Sequence, residues 1–110
     1  MTYTYADVNS VIASIGIPYA YHHFEENQAP DLPFLVFNYP ERNDFIAEDM
    51  NYQDITDLDI LLYTVNKDFE LEARIEQLLK EHKWVFYKSE SYIEQEKMYE
   101  IRYETEVVIR

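Results

Sequence analysis

Adjacent histidines followed by two glutamates are the first residues of this 110-residue chain that could do chemistry. His22, His23, Glu25 and Glu26 are all of the types that bind zinc. The aromatic stretch around them predicts a strand, however, and neighbouring strand residues point to opposite faces, so the two histidines cannot easily share one ion. We therefore expect one packed and one exposed histidine, and no metal site.

A carboxylate cluster is the second candidate. Asp54, Asp57 and Asp59 place three carboxylates within six residues, and such clusters can hold Mg²⁺ or Ca²⁺. Strand alternation puts Asp57 and Asp59 on one face and Asp54 on the other. No glycine permits the tight calcium loop of an EF-hand. We expect a solvated acidic edge here.

The short catalytic signatures are absent from the sequence. There is no cysteine, and the only glycine is Gly16, so there is neither a thiol nucleophile nor a glycine-rich phosphate loop. Neither G-x-S-x-G nor H-E-x-x-H occurs. We expect a protein that is not an enzyme and that uses no cofactor.

Charge is distributed very unevenly. The chain has 22 Asp and Glu against 9 Lys and Arg, a net charge of -13, and in residues 1–66 Arg42 is the only base beside 11 acids. DNA-binding proteins rely on Lys and Arg to displace counterions from phosphates, so specific DNA binding is not expected. No apolar stretch is long enough to cross a bilayer, and we expect a soluble, cytosolic protein without a membrane partner.

The length of 110 residues predicts one domain, residues 1–110, and the hydrophobic periodicity predicts the α+β class. The expected order is α-β-β-β-α-β-β, with both helices packed on a largely antiparallel sheet. Residues 41–53 show no sustained period and predict a long loop, which in so small a domain is usually functional. The helices are expected at 4–15 and 69–82, and the strands at 19–24, 34–39, 54–64, 84–88 and 98–109.

Aromatic residues are the other surplus. They make up 16% of the chain, with 11 tyrosines, and two of them, Phe45 and Tyr52, fall in the predicted loop. Tyrosine suits protein interfaces because its ring buries a large area while its hydroxyl stays available for hydrogen bonding. We expect about half of these rings to fill the core and the others to serve contacts.

These segments together resemble a known family. The order of elements is similar to that of the small tail-terminator, or head-tail joining, proteins of tailed bacteriophages, and the resemblance covers nearly the full length. The segments that contribute to it are "GIP", "YAYHHFEE", "LPFLVFNYP", "NDFIAEDMNYQD", "DLDILLYT", "KDFELEARIEQLL" and "YIEQEKMYEIRYETEV". The chain departs from the family pattern by ending directly after the last strand.

The resemblance implies a structural virion protein at the head-tail interface, assembled in the host cytoplasm. Members form a ring, typically a hexamer, on the last ring of the major tail tube protein, stop tube growth and dock to the head-completion or connector protein. DNA would pass through without specific binding. The candidate contacts to a neighbouring subunit or the tube are Asp44, Phe45, Ile46, Met50 and Tyr52, and the candidate acidic channel lining is Glu48, Asp49, Asp54, Asp57 and Asp59.

Two other functions remain open at this point. Another head-tail connector component, a stopper or adaptor, would share the size and the acidity but would bind the head side first. A small acidic inhibitor or regulatory module would use the same negative charge and aromatic residues against a basic partner. A native mass of six subunits would count against such a module.

Overall fold

Two helices and six strands make up residues 2–110, the part of the chain that the structure, a computed structural model, describes. The fold is therefore α+β, as the hydrophobic pattern predicts, with one strand more than expected. In chain order the elements are α1 (Tyr5–Ala13), β1 (Tyr19–Tyr21), β2 (Phe34–Asn38), β3 (Phe45–Ala47), β4 (Met50–Thr64), α2 (Phe69–Glu81), β5 (Tyr87–Ile93) and β6 (Met98–Ile109).

The strands form one sheet in the order β1-β2-β4-β6-β5, and β3 pairs with the beginning of β4. Only β1 and β2 run parallel, so the sheet is largely antiparallel, as predicted. The longest ladder joins β4 to β6, from Asp54 opposite Ile109 to Thr64 opposite Tyr99. Strand β2 lies inside the sheet between β1 and β4, and its consecutive residues Leu35, Val36 and Phe37 are all buried, in agreement with its unbroken apolar sequence.

Both helices cover the same face of this sheet. Alternate residues of β2, β4 and β6 point toward them, and the other residues of these strands form a second face that neither helix covers, which we call the open face. The buried cluster under the helices includes Val8, Val11 and Ile12 of α1, Leu71, Ile75 and Leu79 of α2, and Leu35, Phe37, Leu58, Ile60, Leu62, Ile101, Tyr103, Val107 and Ile109 of the strands.

The helix ends follow local signals that are visible in the sequence. The Thr4 hydroxyl accepts from the backbone N–H of Asp7 at 3.0 Å, and the Asp7 carboxylate accepts from the backbone N–H of Thr4 at 2.9 Å, which is a capping box. Gly16 follows α1 with φ of 90°, a conformation that favours glycine. The Asp68 carboxylate accepts from the backbone N–H of Leu71 at 3.0 Å and starts α2.

The predicted apolar stripe of α2 is correct except at its ends. Leu71, Ile75 and Leu79 are buried, whereas Phe69 is 72% exposed. His82 is the C-cap residue of the helix and does not continue the stripe. Only the part of α2 that lies over the sheet has to bury apolar side chains, so the two ends of the helix need not follow the apolar stripe.

Two predicted strand boundaries are wrong. Strand β1 ends at Tyr21 and not at residue 24, because His22 adopts a positive φ of 67° that breaks the extended chain. The strand expected at 84–88 begins only at Tyr87 and continues to Ile93. Just before it, the Thr105 hydroxyl donates to the carbonyl of Val85 at 2.6 Å, so this segment is held beside β6 by a side chain.

The loop expected at 41–53 is also wrong, because this segment is a β-hairpin. The backbone N–H of Asn43 donates to the carbonyl of Ile55 at 2.7 Å, and that of Asp57 donates to the carbonyl of Glu41 at 2.8 Å. Strand β3 then pairs with residues 50–53, and a register shift falls between its first two residues. Such a bulge breaks the alternation of side chains, and residues 45–53 are exposed on both faces apart from Ala47, so two causes remove the strand period from the sequence here.

Candidate functional site

The hairpin tip extends beyond the rest of the sheet, and we call residues 45–53 the arm. Strand β4 pairs with β6 only from Asp54 onward, so residues 50–53 have β3 as their one strand partner. The radius of gyration is 15.0 Å, with a longest extent of 50 Å. A compact domain of this length would have a radius of gyration of about 13 Å. The arm accounts for the elongated shape.

The arm exposes large apolar side chains and ends in two acids. The exposed fractions are 56% for Phe45, 65% for Ile46, 63% for Met50 and 63% for Tyr52, all of them predicted contact residues. Glu48 and Asp49 form the two-residue turn, and both have positive φ, as a type I′ hairpin turn requires. The structure thus places an apolar, acid-tipped projection where the sequence predicts a contact segment.

Asp44, the fifth predicted contact residue, holds the base of the arm. Its carboxylate accepts from Nε of Arg42 at 3.0 Å, from the side-chain amide of Asn51 at 2.7 Å and from the backbone N–H of Ile55 at 3.1 Å. Arg42 also pairs with Asp54 at 2.8 Å. The hydrogen bond from Arg42, followed by that from Asn51, lowers the pKa of Asp44. Its contacts are therefore internal to the hairpin.

The five predicted channel-lining acids do not form one surface. Glu48 and Asp49 lie at the arm tip, Asp54 pairs with Arg42 at the arm base, and Asp57 and Asp59 lie on the open face. The prediction that Asp57 and Asp59 share a strand face apart from Asp54 agrees with the ladder. A single channel wall would therefore have to be assembled from more than one copy of the chain.

On the open face, β6 adds two acids that the sequence argument did not single out. Glu106 lies opposite Asp57, and Glu104 lies opposite Asp59. Like charges that face each other across a sheet are unfavourable, so this row of four carboxylates is not explained by the stability of the sheet. The charged face of the last strand was the signal in the sequence, but its register with β4 could not be read from it.

Asp59 differs from the other acids of this row because it is buried. Asp59 is only 8% exposed, and its carboxylate pairs with Arg102 at 3.0 Å. Burial raises the pKa of Asp59, the charge of Arg102 opposes that rise, and Glu104 and Asp57 add to it. Asp59 is therefore not part of a freely solvated edge, which corrects that expectation for this residue.

The two histidines also differ from the expectation. His22 and His23 are both exposed, and their Nδ1 atoms lie 3.0 Å apart, so they do not point to opposite faces. The positive φ of His22 turns its side chain out of the strand alternation. Glu25 lies 3.6 Å from Nε2 of His23. Within residues 2–110, no three His, Asp or Glu side chains are placed to hold a metal ion.

An ionic network that the sequence argument missed joins α2 to the sheet. Glu72 is 1% exposed, and its carboxylate pairs with Lys67 at 2.6 Å and with Lys88 at 2.8 Å. Lys88 also pairs with Glu76 at 2.8 Å, and the Tyr103 hydroxyl donates to Glu76 at 2.8 Å. Every charge in the network has a partner, so its evident role is to fix the helix on the sheet.

Some of the surplus tyrosines form an exposed cluster beside α1. The rings of Tyr5 and Tyr39 are 5.0 Å apart, and those of Tyr21 and Tyr39 are 5.7 Å apart. Tyr5 is 51% and Tyr21 is 53% exposed. Burial, followed by the two neighbouring tyrosines, raises the pKa of Tyr39 to about 12. The exposed rings of Tyr5 and Tyr21 are available for contacts, whereas Tyr39 lies between them and is partly buried.

Comparison with known proteins adds no assignment. No helix among the described residues is both long and apolar enough to span a membrane. No protein-family model matches the chain, and no curated protein matches it in sequence.

Proposed function

We propose that the protein is a structural component of a phage virion that forms a ring on the end of the tail tube. The ring ends tube polymerisation and presents the surface to which the head docks. The observation that carries this proposal is the arm, which projects beyond the sheet and exposes Phe45, Ile46, Met50 and Tyr52. A projection of this kind suits contacts between proteins, because exposed apolar groups clustered on one segment mark interaction sites.

The shape of the chain supports a ring. A closed ring is built from heterologous interfaces, in which each subunit offers two different surfaces to its neighbours. The arm is one surface of the described chain, and the opposite sides of the sheet differ strongly in chemistry, with helices on one and acids on the other. The partners of the ring would be copies of the chain, in a hexamer, together with the major tail tube protein and the head-completion or connector protein.

The charge of the chain supports the passage of DNA through such a ring. A net charge of -13 gives DNA no gain from counterion release, so the genome would slide through without specific binding. The acids on the open face, Asp57, Glu104 and Glu106, are the candidates for the channel wall. The ring would belong to the virion, at the head-tail interface, and would be assembled in the host cytoplasm.

Negative-stain imaging of the purified protein, alone and mixed with tail-tube subunits of the phage or prophage that encodes it, tests this proposal. The expected result is a cap of six copies at tube ends and a narrow distribution of tube lengths. Tubes of unrestricted length with bare ends would contradict it.

A trimmed arm sharpens the test. Replacing residues 46–52 with Asn-Gly closes a two-residue hairpin between Phe45 and Gln53 and leaves Asp44 in place. The trimmed protein should keep its thermal midpoint within a few degrees but lose the cap. The matched control replaces residues 94–97, the turn between β5 and β6, with the same dipeptide. If the trimmed protein capped tail tubes as well as the control does, the arm would not have the proposed role.

A second candidate function rests on the carboxylate row of the open face. An acidic inhibitor or regulatory module would place Asp57, Glu104 and Glu106 against a basic partner, and the unfavourable pairing of these like charges would be relieved on binding. Such a protein would act as a monomer or dimer. Native mass spectrometry separates the two functions, since a six-subunit mass supports the ring.

A further inference from the structure

The end of α2 carries a patch whose chemistry complements the arm. Lys80 and Lys83 are exposed, and together with Trp84, Val85 and Phe86 they line a shallow pocket of about 430 Å³. Val85 is 81% exposed. We call these five residues the basic patch.

The two lysines are uncommitted in an otherwise acidic chain. Lys67, Lys88, Arg42 and Arg102 all pair with carboxylates, whereas neither lysine of the basic patch makes an ion pair within residues 2–110. Arg74, Lys97 and Arg110 are also without an ion pair in this range, but Lys80 and Lys83 line one pocket together. The arm has the opposite character, since Glu48 and Asp49 at its turn are also without an ion pair in the described part of the chain. The arm thus combines four exposed apolar side chains with negative charge, and the basic patch combines exposed Val85 and half-buried Phe86 with positive charge.

The arm and the basic patch cannot meet within one copy. Thr105 ties the basic patch to the sheet through Val85, and Thr105 lies opposite Leu58. Met50 is eight residues from Leu58 along β4, which corresponds to about 26 Å at the rise of a strand. Residues 54–58 of that span lie in the sheet and residues 50–53 lie in the arm, so the arm tip is held well away from the basic patch of its own copy, and the partner surface has to come from another molecule.

We infer that the arm of one copy docks on the basic patch of the next, with Glu48 and Asp49 against Lys80 and Lys83 and the apolar arm residues against Val85. The contact is heterologous and leaves one free arm and one free patch in every open assembly, so it can repeat from copy to copy and join the subunits of a ring. The inference deepens the proposed function, on which it rests, by naming the two surfaces that would join neighbouring subunits.

Charge reversal on both surfaces tests this contact. The arm variant is E48K/D49K, the patch variant is K80E/K83E, and the matched control is E94K/E96K in the exposed turn between β5 and β6. All the changed side chains are exposed, so circular dichroism should show native folding. The arm variant reduces the negative charge by four units and the patch variant increases it by four, so a common effect of both cannot come from net charge.

Sedimentation velocity over a concentration series measures the self-association of each protein. The wild type and the control should self-associate, and each reversed variant alone should associate about tenfold or more weakly, because attractive pairs become repulsive. An equimolar mixture of the two variants should recover the wild-type assembly, because every arm then meets a patch of opposite charge in alternating order.

Three outcomes would overturn the contact: a wild type that stays monomeric at the highest concentration reached, a reversed variant that associates like the control, or a mixture that does not recover. A capping assay with tail tubes tests the proposed function separately from this contact. Variants that still cap tail tubes would retain the function and exclude this contact, whereas a chain that assembles as inferred but ignores tube ends would retain the contact and exclude the function.

Discussion

Replacing Glu72 with Gln should reveal how strongly the ionic network holds α2 on the sheet. The side chain of Glu72 is 2% exposed and lies between Lys67 and Lys88, whose side chains are 22% and 36% exposed. The substitution keeps the size of the side chain and removes its charge. Both lysines then face a neutral amide at the centre of the network.

The expected loss in the free energy of unfolding depends on the ion pairs that the two lysines keep. Breaking a fully buried ion pair costs about 3–5 kcal/mol. Here Lys67 retains Glu90, Lys88 retains Glu76, and both ammonium groups reach solvent, so we expect a loss of about 2–3 kcal/mol in the free energy of unfolding. For a domain of this size, that loss lowers the thermal midpoint by about 8–12 °C.

The loss should depend on pH in a defined direction. Burial raises the pKa of Glu72, but the hydrogen bonds and charges of Lys67 and Lys88 together lower it below its ordinary value. A carboxyl group whose pKa is lower in the folded state stabilises the fold at pH values above its unfolded pKa, which is near 4.3 for glutamate. This stabilisation is lost as the pH falls through the pKa of the folded state. The difference between wild type and Glu72→Gln should therefore shrink as the pH is lowered below about 4.

Differential scanning calorimetry between pH 7 and pH 3 measures both effects. The matched control is Glu70→Gln, which removes a charge from the exposed side of the same helix. We expect the control to change the midpoint by no more than about 2 °C. An equal loss in the two variants, or a loss for Glu72→Gln that persists unchanged in acid, would refute the account of the network.

Two further substitutions test the acids of the candidate site. Asp59→Asn should raise the thermal midpoint at pH 7, because burial in the folded state raises the pKa of Asp59 and so disfavours its charge. The gain should vanish in acid, where Asp59 is protonated in both the folded and the unfolded state. A lower midpoint at pH 7 would mean that the pair with Arg102 dominates. Asp44→Ala should speed amide hydrogen exchange at Ile55 and along the arm while the β4–β6 ladder keeps its protection, since the Asp44 carboxylate accepts four hydrogen bonds at the arm base, two of them from Arg42. Unchanged exchange at Ile55 would exclude that role.

The hydrophobic pattern predicts most of this fold correctly. Strand β6 is found where alternation predicts it, from Met98 to Ile109, because alternate residues from Ile101 to Ile109 are buried and the residues between Glu100 and Glu106 on the other face are charged. Strand β4 is predicted only from Asp54, since its first residues belong to the arm and face solvent on both sides. Burial is what makes a strand readable from sequence, and the arm has none.

The candidate site could be predicted only in part, for the same reason. The exposed aromatic and apolar residues of 45–52 are visible in the sequence as an unexplained surplus. That they project as a hairpin depends on the turn at Glu48 and Asp49, a pair without the glycine or asparagine by which such turns are usually recognised. The basic patch lies within residues 80–86, so the sequence already places its lysines close together, but only the structure shows that Val85 is exposed beside them while Trp84 is buried.

By itself, the sequence determines the acidity of the chain, the two capped helices, the buried strands and the α+β class, because these depend on composition and on patterns within one segment. The tertiary structure decides which charges are paired. Asp59 and Glu72 are as acidic in sequence as Glu48 and Asp49, yet the first two are buried against Arg102, Lys67 and Lys88, and the last two are solvated at the arm tip. Strand register and helix docking set those distances, and neither is encoded in the spacing of any one segment.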